Sequence, residues 1–238
     1  MRVRCLGNSG KELKGPYSIY GTSKTAFSLT VGREYRVYAM MISECLSYLV
    51  LEDHGQPGWS PAILFEVTDD KVPLSWHFAH LARRRLVVVV GFEEIVKDES
   101  FRSSLSEGSH EALKTFFSKK KGMDTEGYFH VVRFRGKPLL SAESSGVTYA
   151  LSLGDAVEAI HELTLTNLAI VSAQTLEETS GTVHYGEYWE CRKDLGEGPE
   201  NYAQRSRQEV LGFISHIERN LSRDAHIVLE HSSLTDYF

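Results

Sequence analysis

Paired carboxylates are many, among them Glu52-Asp53, Asp69-Asp70, Glu93-Glu94 and Glu177-Glu178, and have the right residue type for acid–base work. That chemistry needs two carboxylates in differing environments of one cleft. Adjacent residues on a strand point apart, so a doublet by itself reads as an ordinary strand end or turn. His77 and His80 are three apart and would share a helical face, but no further ligand lies at a zinc-like spacing. His226 and His231, five apart on an expected strand, would face opposite sides. Cys5, Cys45 and Cys191 are widely separated, with no CxxC pair, and read as free buried thiols of a reducing cytosol. No metal site and no cofactor is expected. GxSxG, GxGxxG and the Walker lysine motif are all absent from the sequence. The basic runs Arg83–Arg85 and Lys119–Lys121 are three residues each and lack the interleaved aromatics of a nucleic-acid surface.

One stretch mixes acids with aromatics. Tyr185-Gly186-Glu187-Tyr188-Trp189-Glu190 has the composition of a protein–protein hot spot, and also that of a half-buried strand with paired rings. With the preceding doublet it defines a candidate partner-binding set: Glu177, Glu178, Tyr185, Glu187, Tyr188 and Glu190. No catalytic residue is assigned.

The elements that must carry these residues follow from periodicity. The organising stretch is Glu34–Asp70, where Tyr35–Ile42, Cys45–Leu51 and Pro61–Val67 read as strands and His54–Trp59 as a loop. Tyr35, Val37, Ala39 and Met41 should share one face. Tyr17–Tyr20 and Phe27–Val31 are short strand candidates, and Pro73–Phe78 a turn of helix. Leu86–Val90 is a buried strand, interrupted at Gly91 and continued through Glu93–Lys97. Ser100–Lys121 has helical spacing with a break near Gly108, and Gly122 is the expected C-cap. Tyr128–Phe134 alternates as a strand, followed by a turn at Arg135–Pro138. Val147–Leu151 is β-like, and Ser152 should cap a helix with Ala156, Val157, Ile160 and Leu163 on its apolar face. Leu168–Leu176 and Thr182–Arg192 form a hairpin across Glu177–Gly181. Residues 200–221 are an amphipathic helix and Ala225–Glu230 a final strand. The expectation is an α+β fold of two domains, 1–122 and 123–238, each a mostly antiparallel sheet packed with one or two helices.

Length and composition agree: 238 residues, 42% hydrophobic and 24% charged, suffice for two ordinary cores. No apolar run approaches the roughly 20 residues of a membrane helix, and the start lacks the apolar core of a secretory signal. Charge is unevenly divided. Residues 1–122 hold 17 Lys and Arg against 14 Asp and Glu, a net +3, while residues 123–238 hold 9 against 18, a net −9, giving −6 for the chain. An acidic half repels nucleic acid and suits either a basic protein partner or simple solubility.

The first domain resembles a family. Tyr35-Arg36-Val37-Tyr38-Ala39-Met40, Tyr48-Leu49-Val50-Leu51-Glu52-Asp53, Pro57-Gly58-Trp59-Ser60-Pro61-Ala62 and Leu64-Phe65-Glu66-Val67 match its recurring pattern. Pro73 with Trp76 and Gly91-Phe92-Glu93-Glu94-Ile95 follow suit, over roughly residues 30–120. The family is similar to bacterial immunity proteins encoded beside polymorphic or contact-dependent toxins. The resemblance implies a cytoplasmic protein that binds a cognate toxin and occludes it, and the acidic half suits a basic one. Two alternatives stand beside it: an enzyme using the carboxylates of the first domain, and a two-domain adaptor.

Overall fold

The computed structural model describes residues 1–82, 86–139, 148–179, 182–220 and 225–232. The fold is α+β, with two antiparallel sheets of seven and five strands. The chain divides into two compact units, Met1–Met123 and Asp124–Phe238.

The first unit contains β1 (Arg2–Cys5), β2 (Glu34–Ile42), β3 (Leu46–Leu51), β4 (Pro57–Pro61), β5 (Phe65–Asp69), β6 (His77–Ala82) and β7 (Leu86–Gly91). β2 is the hub. Along one edge it pairs with β3; along the other its first residues pair with β1 and its last with β7, so the sheet forks. The β2–β3 register shifts between Val37 and Ala39, a bulge at Tyr38. Its effect is to exchange the faces. Tyr35, Val37 and Met40 join one core with Val3, Tyr48, Val50 and Phe65, while Tyr38, Ala39 and Met41 join the other with Leu49, Ile95 and Phe116. The strict alternation expected for β2 therefore fails after Val37. Both faces are buried, which is why neither reads as polar.

Several local expectations are corrected. Tyr17–Tyr20 lies in a 3-10 turn, Gly15–Tyr20, because Pro16 sets the first turn and none of its residues is buried. Phe27–Val31 makes no strand, the adjacent Ala26 forming only an isolated bridge to Ser9. Pro57-Gly58-Trp59 is not loop but part of β4, whose two prolines are tolerated on an edge strand. Pro61–Val67 is split by a 3-10 turn at Ala62–Leu64. Pro73–Phe78 is not helical; β6 starts at His77. His77 and His80 therefore point to opposite faces of a strand rather than sharing one helical face.

After β7, Glu93–Lys97 is helix α1, with two acids in its first turn, Lys97 in its last, and Ile95 and Val96 buried. Gly91 permits the turn, since a Cβ there would run into Ala39 and Ile95. Helix α2 (Glu99–Ser106) is capped by Asp98, which accepts from the N–H groups of Ser100 and Phe101. Gly108 at φ +74° reverses the chain. Helix α3 then runs from His110 to Arg135. Lys119–Lys121 and Gly122 are inside it, not at its end, and Tyr128–Phe134 is helical, not a strand. The apolar run fits both periods; burial chooses the helical one, placing Tyr128 and Val131 in the second core and leaving Phe134 75% exposed.

The second unit holds β8 (Lys137–Leu139), β9 (Thr148–Ser152), α4 (Leu153–Glu162), β10 (Ile170–Thr179), β11 (Thr182–Glu190), α5 (Pro199–Asn220) and β12 (His226–His231). The strand order is β11-β10-β12-β9-β8. The last strand thus enters the middle of the sheet. Ser152 caps α4, accepting from the N–H of Asp155 at 3.1 Å. Ala156, Ala159 and Ile160 of α4 meet Val210, Ile214 and Ile217 of α5 over Ala173 and Ile227 of the sheet. Each fully buried Ile contributes about 1.5–3 kcal/mol. His231 packs edge-to-face against Tyr128 and Phe129, ring centroids 5.6 and 5.5 Å away. All three cysteines are free and buried. Among the described residues no helix is long and apolar enough to cross a membrane.

Candidate functional site

The acid–aromatic stretch forms β11, an edge strand among the described residues. Thr, Val, Tyr and Trp make it a strong strand former. Among the described residues it pairs with β10 alone, and residues 182–188 are all exposed. Glu177, Glu178 and Thr179 extend β10 instead of forming the turn; Ser180 and Gly181 lie outside the described residues.

The register separates the candidates by face. Glu190, Trp189 and Tyr188 pair with Ser172, Ala173 and Gln174, and Tyr185 pairs with Leu176. Between these pairs two residues of β11, Gly186 and Glu187, together oppose one of β10, Thr175. This is a bulge. Gly186 is required there, because a Cβ would run into Oγ1 of Thr175. In an unbroken strand Tyr185 and Tyr188 would face opposite ways. The extra residue brings both onto one face, beside Leu176 and Gln174 and in line with Glu190 and Val183. They are 67% and 58% exposed.

Glu187 and Trp189 take the other face. Trp189 packs on the core beneath α5, and Glu187 lies 3.7 Å from Nε2 of His216 on that helix. Glu177 belongs to this face too, opposite His184. Glu178 pairs with Val183 through its backbone, and its side chain lies outside the described part of the structure. Glu190 binds Nε of Arg192 at 2.8 Å, which holds its carboxyl below the usual range. Tyr185, Tyr188 and Glu190 are thus brought together, while Glu177 and Glu187 are not with them. Val183 and the bulge at Gly186 are the parts that sequence reasoning missed. A glycine inside an alternating strand is the signal that marks them.

In the first unit the acidic doublets have separate roles. Asp53 accepts from the Tyr35 hydroxyl at 2.7 Å, Thr30 Oγ1 at 2.7 Å and Arg33 Nη1 at 3.0 Å. Partial burial opposes its ionisation, but these donors outweigh it and hold the carboxyl below the usual range. Burial and the neighbouring carboxylate push Tyr35 up to about 12. Glu52 goes the other way: burial raises its carboxyl, against the smaller pull of His54 at 3.4 Å and of Ser60. Glu93 and Glu94 pair with Lys97 and Lys119, both at 2.7 Å. Asp69 accepts from the N–H of Lys71 at 3.1 Å.

A cleft of about 480 Å3 opens between the sheet and α2, floored by Met41, Trp59, Leu81 and Val87. Glu52-Asp53, Asp69-Asp70, Glu93-Glu94 and Glu177-Glu178 do not line it; its carboxylates are Glu99, next to Asp98 in the chain, and Glu107. Arg102 at its rim donates to the carbonyls of Ile95 and Val96 at 2.8 and 3.0 Å, closing the end of α1. The run Arg83–Arg85 lies outside the described residues. Among the described residues no three His, Cys, Asp or Glu could hold a metal ion.

Comparison with protein-family models, with curated proteins and with solved structures gives no match.

Proposed function

We propose that this protein is an immunity protein of bacterial competition, which binds a basic cognate toxin in the cytoplasm and blocks it by stoichiometric occlusion. The observation that carries the reading is the exposed β11 edge, where Tyr185 and Tyr188 stand side by side next to Glu190. Exposed tyrosines bounded by carboxylates suit a binding surface better than a solvated one, because rings left in water forgo the burial that makes them useful. The −9 charge of residues 123–238 supports a basic partner and fast, steered association. The resemblance of residues 30–120 to immunity proteins supports the class of partner.

The test is to mix the purified protein with the product of the neighbouring gene and to express both in the same cells. A one-to-one complex and rescue of the poisoned cells are expected. Replacing Tyr185 and Tyr188 together by Ala should weaken the complex by about 100-fold or more, as hot-spot truncations do. No complex and no rescue by the unmodified protein would sink the proposal.

A further inference from the structure

We infer that β11 takes its partner by strand addition, an extended basic segment of the partner protein pairing with the open backbone edge. This rests on the reading of β11 as the toxin-binding edge and adds the mode and chemistry of recognition.

Edges of sheets are normally blunted by Lys, Pro, short length or cover. The opposite edge of the same sheet follows that rule: β8 is three residues long and contains Lys137 and Pro138. Edge strand β4 begins and ends in proline. β11 has nine residues, neither Lys nor Pro, and residues 182–188 are exposed. Its protection is the bulge at Gly186-Glu187 and the carboxylates Glu187 and Glu190, and that bulge also sets Tyr185 and Tyr188 on one face. β5 and β6 are further edges without Lys or Pro: β5 has only five residues and commits Glu66 to Arg4 at 2.9 Å, and β6 has no carboxylate and leads into Arg83-Arg84-Arg85.

In an antiparallel ladder alternate N–H and C=O groups of β11 bond to β10, and the intervening ones point away from it. An added strand would satisfy that second set and lay its side chains over both faces. On one face they meet Tyr185, Tyr188 and Glu190; on the other, Glu187 and His184. A carboxylate therefore stands on each face, Glu187 beside His216 on one and Glu190 on the other, so a row of basic residues in either alternation of the incoming strand meets one. Glu190 is shared with Arg192, itself 84% exposed and able to yield the carboxylate. A second copy of β11 would set Glu187 and Glu190 near their own kind in an already acidic unit, which disfavours self-pairing.

The experiment follows amide exchange in the full-length chain with a synthetic peptide of alternating Lys and Val, about eight residues long to match a strand. The expected result is slowing, by about tenfold or more, of those β11 amides that exchange quickly in the free protein. The same peptide with one central residue replaced by proline, and one alternating Glu and Val, should leave them unchanged. In the double variant Glu187→Lys with Glu190→Lys the preference should invert toward the Glu–Val peptide. Fast β11 amides left unslowed by the Lys–Val peptide would overturn the inference, as would equal binding of the proline peptide. So would slowing that grows with protein concentration and needs no peptide, the mark of self-pairing. Cell rescue is read separately. Rescue without amide protection defeats strand addition alone; protection without rescue defeats the toxin reading alone.

Discussion

Glu52 and Asp53 are neighbours on the chain with opposite environments, and they make opposite contributions to stability. Asp53 ionises below the usual carboxylate range in the folded chain, held there by Thr30, Tyr35 and Arg33 against partial burial. Its stabilisation is complete above the unfolded pKa and is lost as pH falls through the lowered value. Glu52 is raised by burial, so its charged form costs stability at neutral pH, and the cost disappears as pH falls through the raised value. Asp53→Asn should therefore destabilise by about 1–2 kcal/mol at pH 7 and flatten the acid limb of the stability profile. Glu52→Gln should be neutral or stabilising at pH 7. Denaturant unfolding of both variants from acid to neutral pH checks the signs. Both residues were legible as a doublet, but their difference was not. It comes from the burial of Glu52 and from Tyr35 and Thr30, about twenty residues upstream, which hold Asp53.

Among the elements, α3 and β11 show how a glycine is read. Gly122 looks like a C-cap after three lysines, yet it is interior to a 26-residue helix, and a Cβ there would meet nothing within 4 Å. Gly122→Ala should thus stabilise the protein by about 0.5–1 kcal/mol, through helix propensity and a less flexible unfolded chain. A higher thermal midpoint with an unchanged helical signal is the expected measurement; a lower midpoint would contradict the helix at this point. Gly186 is the reverse case. Its missing Cβ makes room for Thr175 and so maintains the bulge. Gly186→Val should cost stability and also weaken any complex that needs Tyr185 and Tyr188 on one face. Unfolding midpoint and binding measured on the same variant separate the two losses. In α5 the buried Ile214 lies in the core between α4 and the sheet, and Ile214→Ala should cost about 2–5 kcal/mol. Helices α4 and α5 were readable because their apolar faces repeat at the helical period over ten or more residues. Tyr128–Phe134 is seven residues long and satisfies both periods, so only burial of Tyr128 and Val131 decides it.

For the whole molecule, the uneven charge implies salt-dependent association. If β11 meets a basic toxin, the association rate should fall about tenfold or more between roughly 10 and 150 mM salt, with a much smaller change in the dissociation rate. Stopped-flow mixing with the neighbouring gene's product reads both, and a salt-independent association rate would remove charge from the account. The sequence by itself determined the α+β class, the main strands of Glu34–Asp70, the capped helix after Ser152, the amphipathic α5 and the −9 half. Each depends on composition or on a period that short stretches carry on their own. Only the tertiary structure decided which face each side chain occupies and which strands are edges. The bulges at Tyr38 and at Gly186-Glu187 slip the alternation by one residue, and a one-residue slip turns every later side chain to the other face. β12 enters between β10 and β9 from the far end of the chain, so β11 is left at the margin. Pairing between strands distant in sequence sets both features, and no local pattern records it.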